Sequence, residues 1–374
     1  MKQFPINPLQ ARIALELKHA RPLIGCRFDP SGRFLFVSSE DSTLQRFDLV
    51  TGQKTAFVGH SSWVRGMAFS PARSSAIPLA ASPCAGLVGG LGVASLPPPN
   101  PFTVISADYH GNAIWWDGTA ESPKPVRTVA AHLGWVRAVA VSPDGKTLAT
   151  CGNDHLVKLW SVADGRPLAT LEGHLCHVYN VAFHPNGSRL VSADLKGVVK
   201  DWEWATGKLV RELDAKVFHK YDTGFAADIG GLRGLTFSAD GASLACTGIT
   251  NVSNAFAGVG NPLVVAFDWK DGKAKQYKPK DAFQGTGWGV GHLSTGLVAA
   301  GGAAQGKMWF WKPDEANSFH AIDVAGNARD MAVHPDGTAV AVATATGTAY
   351  VYTLSPFTPV PPSPKKEAVI PKKA

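Results

Sequence analysis

The stretch SPDGKTLATCGNDHLVKLW, residues 142–160, decides how the chain is read. Its Gly145-Lys146-Thr147 matches the closing triplet of a nucleotide-binding loop. Such a loop needs another glycine five places upstream, so that successive backbone N–H groups converge on phosphate, and a helix after it. Ala140 stands at that place. Downstream of Thr147 the chain runs through LATC, then the turn residues Gly152-Asn153-Asp154, then HLVKLW: two short apolar runs parted by a tight turn, the signature of strand, turn and strand. The phosphate reading does not fit.

The same pattern recurs along the chain. The turn signal appears as DPSG ending at Gly32, SPDG at Gly145, HPNG at Gly187, SADG at Gly241 and HPDG at Gly337, with a weaker LSTG at Gly296. Each lies between two apolar runs, as a hairpin turn does. Downstream of each an aromatic closes a third strand: Phe47, Trp160, Trp202, Phe267, Trp311 and Tyr352, with Trp116 completing the series. Successive aromatics lie 69, 44, 42, 65, 44 and 41 positions apart, so the period is in the low forties and two of seven units carry insertions. Four short strands at that period predict an all-β, seven-bladed β-propeller of four-stranded antiparallel blades. The final unit stops after its third strand, AYVYTL. The strand near Ile13–Lys18 is therefore expected to close the ring as the outer strand of the last blade, which removes a free sheet edge.

Composition agrees. A hydrophobic fraction of 45% supports a large core, while 39 Gly and 26 Pro among only 17% charged residues suit many short strands joined by turns. The formal charge is +7, of which KKEAVIPKKA at the end carries +3 (four Lys less one Glu). The remainder permits acidic partners without a dense basic stripe for nucleic acid. Five scattered cysteines, none in C-x-x-C, indicate neither a disulfide framework nor a zinc site and suit a reducing, cytoplasmic compartment. No secretory signal is visible at the start. Ser74–Ala107 holds no charge, but Pro78, Pro83, Pro97–Pro99 and the Gly89-Gly90-Leu91-Gly92 cluster would break a spanning helix, so a surface insertion is expected and no membrane association. The organisation expected is an N-terminal extension (1–11), the propeller (12–354, with insertions at about 72–102 and 249–262) and a Pro/Lys-rich disordered tail (355–374).

From about residue 12 to 353 the repeat resembles the tryptophan-aspartate (WD) repeat family, best in the unit from Ala131-His132 through VRAVAVSPDGKTLATCGNDHLVKLW, with a second beginning at Gly173-His174. The resemblance implies a buried relay of His, Ser or Thr, Asp and Trp in each unit, since an indole N–H and a carboxylate inside a blade must find partners. One unit fills all four slots, with His132, Thr150, Asp154 and Trp160. The next offers His174, Ser192 and Trp202 but Lys196 for the acid. The preceding one offers His60, Ser106 and Trp116 with His110 there. In the first, His19, Asp41 and Phe47 remain, with Val37 for the hydroxyl.

A propeller fold does not name a function, so a site must. The slot at the start of each innermost strand, near the channel rim, reads Ile24, Arg65, Arg137, Tyr179, Arg233, Trp288 and Arg329. Two residues earlier come Pro22, Trp63, Trp135, His177, Gly231, Thr286 and Asn327. In the resembled family these positions contact protein partners. Guanidinium forks beside aromatic rings suit acidic or phosphorylated segments. The partner-binding candidates are therefore Trp63, Arg65, Trp135, Arg137, His177, Tyr179, Arg233, Trp288 and Arg329. Two long loops near the fifth unit, DAKVFHKYDTGFAADIGG and ITNVSNAFAGVGNP, add His219, Tyr221, Phe225 and Phe256.

His174 and His177 read as one relay and one rim residue, not a metal pair, and GTGWGVG (285–291) reads as an inner strand, not a dinucleotide loop. No cofactor, metal or catalytic residue is expected. The expected function is a non-catalytic scaffold, monomeric by itself, for protein partners of unknown identity. The alternatives are a hydrolase- or lyase-type propeller enzyme at the channel mouth, and nucleic-acid association through the rim and lysine tail.

Overall fold

The computed structural model describes residues 6–70, 101–254 and 259–355. The strands of the described residues form seven four-stranded antiparallel sheets and one separate two-stranded hairpin. Each sheet is a blade, and in all but the last blade its strands follow chain order from the channel outward. Blades 1 to 6 have inner strands Leu23–Phe28, Val64–Ser70, Val136–Val141, Val178–Phe183, Leu232–Phe237 and Thr286–Leu293. Blade 7 is built from Ala328–Val333, Ala339–Thr344 and Thr348–Thr353, with Arg12–Lys18 as its outer strand, paired from Arg12 opposite Thr353 to Lys18 opposite Thr348 with one register shift between Ile13 and Leu15. The expected ring closure is thus observed.

Seven apolar clusters fill the seven interfaces between neighbouring blades, the one between blades 7 and 1 included. Each middle strand serves two of them: along Thr147–Gly152, Leu148 faces blade 2 and Cys151 faces blade 4, and all six residues are buried. That is why these runs show little polar alternation. The aromatics that mark the repeat, from Phe47 to Tyr352, all lie in this core.

The Gly-ended turns lie on the face opposite the rim, called here the lower face. Two of them also staple blades together. His334 Nε2 lies 3.0 Å from the Gly32 carbonyl, joining blade 7 to blade 1, and His184 Nε2 donates to the Gly241 carbonyl at 3.1 Å, joining blade 4 to blade 5. Gly32 needs its lack of a side chain twice over. Its φ is +75°, and a Cβ there would fall 2.1 Å from the His334 ring.

Of the expected insertion at 72–102, residues 72–100 lie outside the described residues, as does the tail from 356 onward. The stretch expected as a loop insertion at 249–262 is different in kind. It extends the second and third strands of blade 5, Ser243–Asn254 and Val259–Asp268, beyond the rest of the ring. The other long loop holds the separate hairpin, His219–Asp222 with Ala227–Gly230, packed on that extension through Ile229, Ile249 and Val252. Phe256 lies outside the described residues.

Candidate functional site

Every inner strand carries a β-bulge near its upper end, and the skipped residue is in turn Ile24, Arg65, Arg137, Tyr179, Arg233, Trp288 and Arg329. These are the seven residues of the rim slot. A bulge leaves one residue out of the ladder and re-aims its side chain. A backbone bond from the neighbouring turn fixes the loop before it in five blades: Glu40 N to Pro22 O, Tyr109 N to Trp63 O, Asn153 N to Trp135 O, Leu195 N to His177 O and Ala345 N to Asn327 O, all between 2.9 and 3.0 Å.

The side chains at the mouth form an alternating series of cations and rings. The Arg137 guanidinium lies 4.4 Å from the Trp135 ring and 4.4 Å from Tyr179. Arg233 lies 4.7 Å from Tyr179 and 5.5 Å from Trp288. Arg65, reaching across the mouth from blade 2, lies 5.5 Å from the Trp288 ring of blade 6. Tyr109 stacks flat on Trp135 at 4.0 Å and approaches Trp63 at 6.3 Å.

The four arginines are not equivalent. Arg329 is paired with Glu40, and Arg65 donates to the carbonyls of Ile24 at 2.6 Å and Arg329 at 3.4 Å, tying blade 2 to blades 1 and 7. Both are committed to the ring. Arg137 uses only its Nε, which donates to Asn153 Oδ1 at 2.8 Å. The Arg233 guanidinium rests on the Tyr179 ring, and among the described residues its buried Nε has no hydrogen-bond partner. Among the described residues neither Arg137 nor Arg233 forms an ion pair. Burial lowers the Arg137 pKa, and the nearby Arg233 and Arg65 add to this against the opposing Tyr179 and Tyr109. Burial alone would push the Tyr179 phenol up, but the two flanking guanidiniums bring it below its ordinary value. At Arg137 and Arg233 the mouth therefore concentrates positive charge with no paired acid among the described residues, whereas Glu40 balances Arg329.

The relay of blade 3 holds the loop that presents Trp135 and Arg137. Trp160 Nε1 donates to Thr150 Oγ1 at 2.9 Å, Thr150 Oγ1 donates to His132 Nε2 at 2.7 Å, and His132 Nδ1 donates to Asp154 Oδ1 at 2.7 Å. Asp154 also accepts from the Leu133 N–H at 3.3 Å. Burial pushes the Asp154 carboxyl up, yet His132, the Leu156 N–H and Lys158 bring it down to about 2.

A single complete relay was expected; three are present. In blade 2, His60 Nδ1 donates to Asp108 Oδ2 at 2.7 Å, and in blade 4 His174 Nδ1 donates to Asp194 Oδ2 at 2.8 Å, with Ser106 and Ser192 bridging to Trp116 and Trp202. His110 and Lys196 do not take the acid's place. The carboxylate comes instead from the last residue of the second strand, two positions before them. In blade 1, His19 Nε2 donates to Asp41 Oδ2 at 2.7 Å and Lys54 donates to its Nδ1 at 2.9 Å, which replaces the missing hydroxyl.

His177 sits 5.5 Å from His155, and its pKa is lowered by burial and by the neighbouring Arg137 and His155. His219 pairs with Asp228 at 2.8 Å and serves the hairpin, while Tyr221 is exposed. Among the described residues no three His, Cys, Asp or Glu side chains are placed to hold a metal ion. Three residues of the mouth were not anticipated: Tyr109, and Leu133 and Leu175, which are 85% and 87% exposed. The two leucines had a signal in the sequence, since each directly follows a relay histidine.

The family model for the WD domain, G-beta repeat, matches residues 15–48, 123–161 and 165–200. These matches fall on a ring of seven four-stranded blades with histidine–aspartate relays inside it. The chain is a WD-repeat β-propeller. This WD-repeat propeller is 34% identical over 99 residues to the pre-mRNA-splicing factor prp46 of Aspergillus fumigatus, an alignment covering 26% of this chain and 19% of that one. It is 28% identical over 138 residues to the nuclear distribution protein PAC1 of Coccidioides posadasii, covering 36% and 26%, and 51% identical over 39 residues to the small ribosomal subunit protein RACK1z of Arabidopsis thaliana, covering 10% and 12%. The propeller thus aligns with about a quarter or less of the length of these relatives. No helix among its described residues is long and apolar enough to cross a membrane.

Proposed function

We propose that this WD-repeat propeller is a non-catalytic scaffold that holds protein partners by acidic or phosphorylated segments at the upper mouth of its channel. The observation that carries this reading is the state of Arg137 and Arg233: two part-buried guanidiniums, set by bulges on adjacent aromatic faces, with no carboxylate among the described residues paired to either. Charge of one sign in a concave, partly desolvated mouth attracts the opposite sign, and guanidinium edges pair with carboxylate or phosphate oxygens. Trp63, Trp135, His177, Tyr179 and Trp288 supply the surrounding contact area. Arg65 and Arg329 shape the mouth from its far side, through their bonds to Ile24 and Glu40.

The described cysteines, Cys26, Cys151, Cys176 and Cys246, are unpaired thiols, which suits the cytoplasm as the place of action. The test is capture of partners on the full chain carrying Arg137→Glu and Arg233→Glu. Partners held by the wild type should be lost while the melting temperature changes little. Retention of the same partners by the charge-reversed chain rejects the proposal.

A further inference from the structure

The mouth is not uniform around its circumference. On the side of blades 2 to 4 the cation series runs into an apolar shelf. Trp63 and Trp135 are 44% and 41% exposed, Tyr109 is stacked flat against Trp135, and Leu133 and Leu175 stand almost fully in solvent. Leu133 and Leu175, at the same position of adjacent blades, are the two most exposed large apolar side chains among the described residues. The relays make the shelf rigid. Leu133 and Leu175 each follow a buried histidine pinned at both ring nitrogens, and the Leu133 N–H itself bonds Asp154. A backbone held in this way loses little freedom when a partner covers it. The shelf and the unpaired cations are continuous, because the Arg137 guanidinium rests on the Trp135 ring at 4.4 Å. The insertion between Ser70 and Pro101 leaves blade 2 from the lower face, where Ser70 ends the inner strand and Thr103 begins the next, so both of its anchors are on the side away from the shelf.

We infer that the segment recognised here is bipartite: an extended acidic peptide that places a carboxylate or phosphate on Arg137 and Arg233 and, a few residues away, a leucine or aromatic side chain on the shelf of Leu133, Trp135 and Leu175. This rests on the reading of the mouth as an acidic-partner site and adds the apolar anchor to it. Charge supplies the approach and the register, and the anchor supplies affinity. The positive mouth selects an acidic segment over a basic one, and the apolar shelf selects a peptide over a free anion, which has nothing to lay on it.

The test is selection of randomised nonapeptide libraries, one unmodified and one with a fixed phosphoserine, on the immobilised full chain, followed by fluorescence polarisation of the enriched peptides. Enrichment of acidic sequences with a leucine, phenylalanine or tryptophan at a constant spacing is expected. The two libraries decide whether carboxylate or phosphate is preferred. Replacing the apolar residue of a selected peptide by alanine, or using the Leu133→Ser/Leu175→Ser chain, should weaken binding by about tenfold or more, as loss of one buried leucine-sized contact does. Arg137→Gln/Arg233→Gln should remove the acidic preference. Acidic sequences without an apolar position, bound equally by the serine variant, overturn the bipartite inference and leave the acidic-partner reading standing. Apolar enrichment without acidity, or no enrichment from either library, overturns both.

Discussion

Thr150→Val is the sharpest perturbation of the blade framework, because it keeps the shape of the side chain and removes one hydroxyl. That hydroxyl is fully buried, accepts from Trp160 Nε1 and donates to His132 Nε2. With valine there, an indole N–H and an imidazole nitrogen are left buried without partners. Each orphan costs about 1–3 kcal/mol, so the expected loss is about 2–6 kcal/mol. Trp160→Phe removes one of the two orphans in advance. In that background Thr150→Val should cost about 1–3 kcal/mol less, and the difference is the coupling across the relay. Urea denaturation followed by circular dichroism measures the global loss. Hydrogen exchange over Thr147–Ser161 measures it locally, which matters because a seven-blade ring need not unfold in one step. A loss below about 0.5 kcal/mol, or the same loss with phenylalanine at 160, would refute the claim that the relay carries blade 3.

Arg65→Gln should lower the melting temperature by several degrees, because its bonds to Ile24 and Arg329 carbonyls join three blades, whereas Arg137→Gln should leave it nearly unchanged; differential scanning fluorimetry compares them directly. Gly32→Ala should destabilise by about 1 kcal/mol or more from its positive φ alone, with a further steric cost against His334 that His334→Ala relieves in the double variant; equal losses in both backgrounds would rule out the steric cost. Asp154 titrates at about 2 in the folded chain, below its ordinary 3.8, and Asp108 is also lowered. The unfolded chain therefore binds more protons between roughly pH 4 and pH 2, so this stabilisation is complete above about pH 4 and is lost as the pH falls toward 2. Asp154→Asn should flatten that part of the acid-unfolding profile.

The architecture was legible because its signals are local and repeated. Each Gly-ended turn and closing aromatic lies within one hairpin, and the surplus strand at Arg12–Lys18 could only complete the unit that lacked one. The rim slot was legible as a position for the same reason. That it is a bulge was not, since a bulge is a mismatch between two strands and leaves no mark in either one alone. Two relay acids differ from the expected positions in register. A carboxylate two residues after the bridging hydroxyl, as in Asp108 and Asp194, reaches the histidine as well as one four residues after it, as in Asp154, and spacing cannot rank the two. The neutralisation of Arg329 by Glu40 joins residues 289 positions apart across the ring closure, beyond any local pattern. The hairpin at His219–Gly230 reads as loop in the sequence because its two four-residue strands are short and polar, and its apolar contact is with the extended strands of blade 5.

The claim on which the functional reading depends is that partners sit on the upper mouth. A photo-crosslinking residue at Leu175, on the shelf, and another at the exposed Lys146 of a lower turn place reporters on the two faces in the same folded chain. Irradiation in native lysate should yield crosslinked partners from position 175, attached through acidic segments, and Arg137→Glu with Arg233→Glu should abolish them. Crosslinks from position 146 alone, or crosslinks from 175 that persist through the charge reversal, would contradict the placement of partners on the upper mouth.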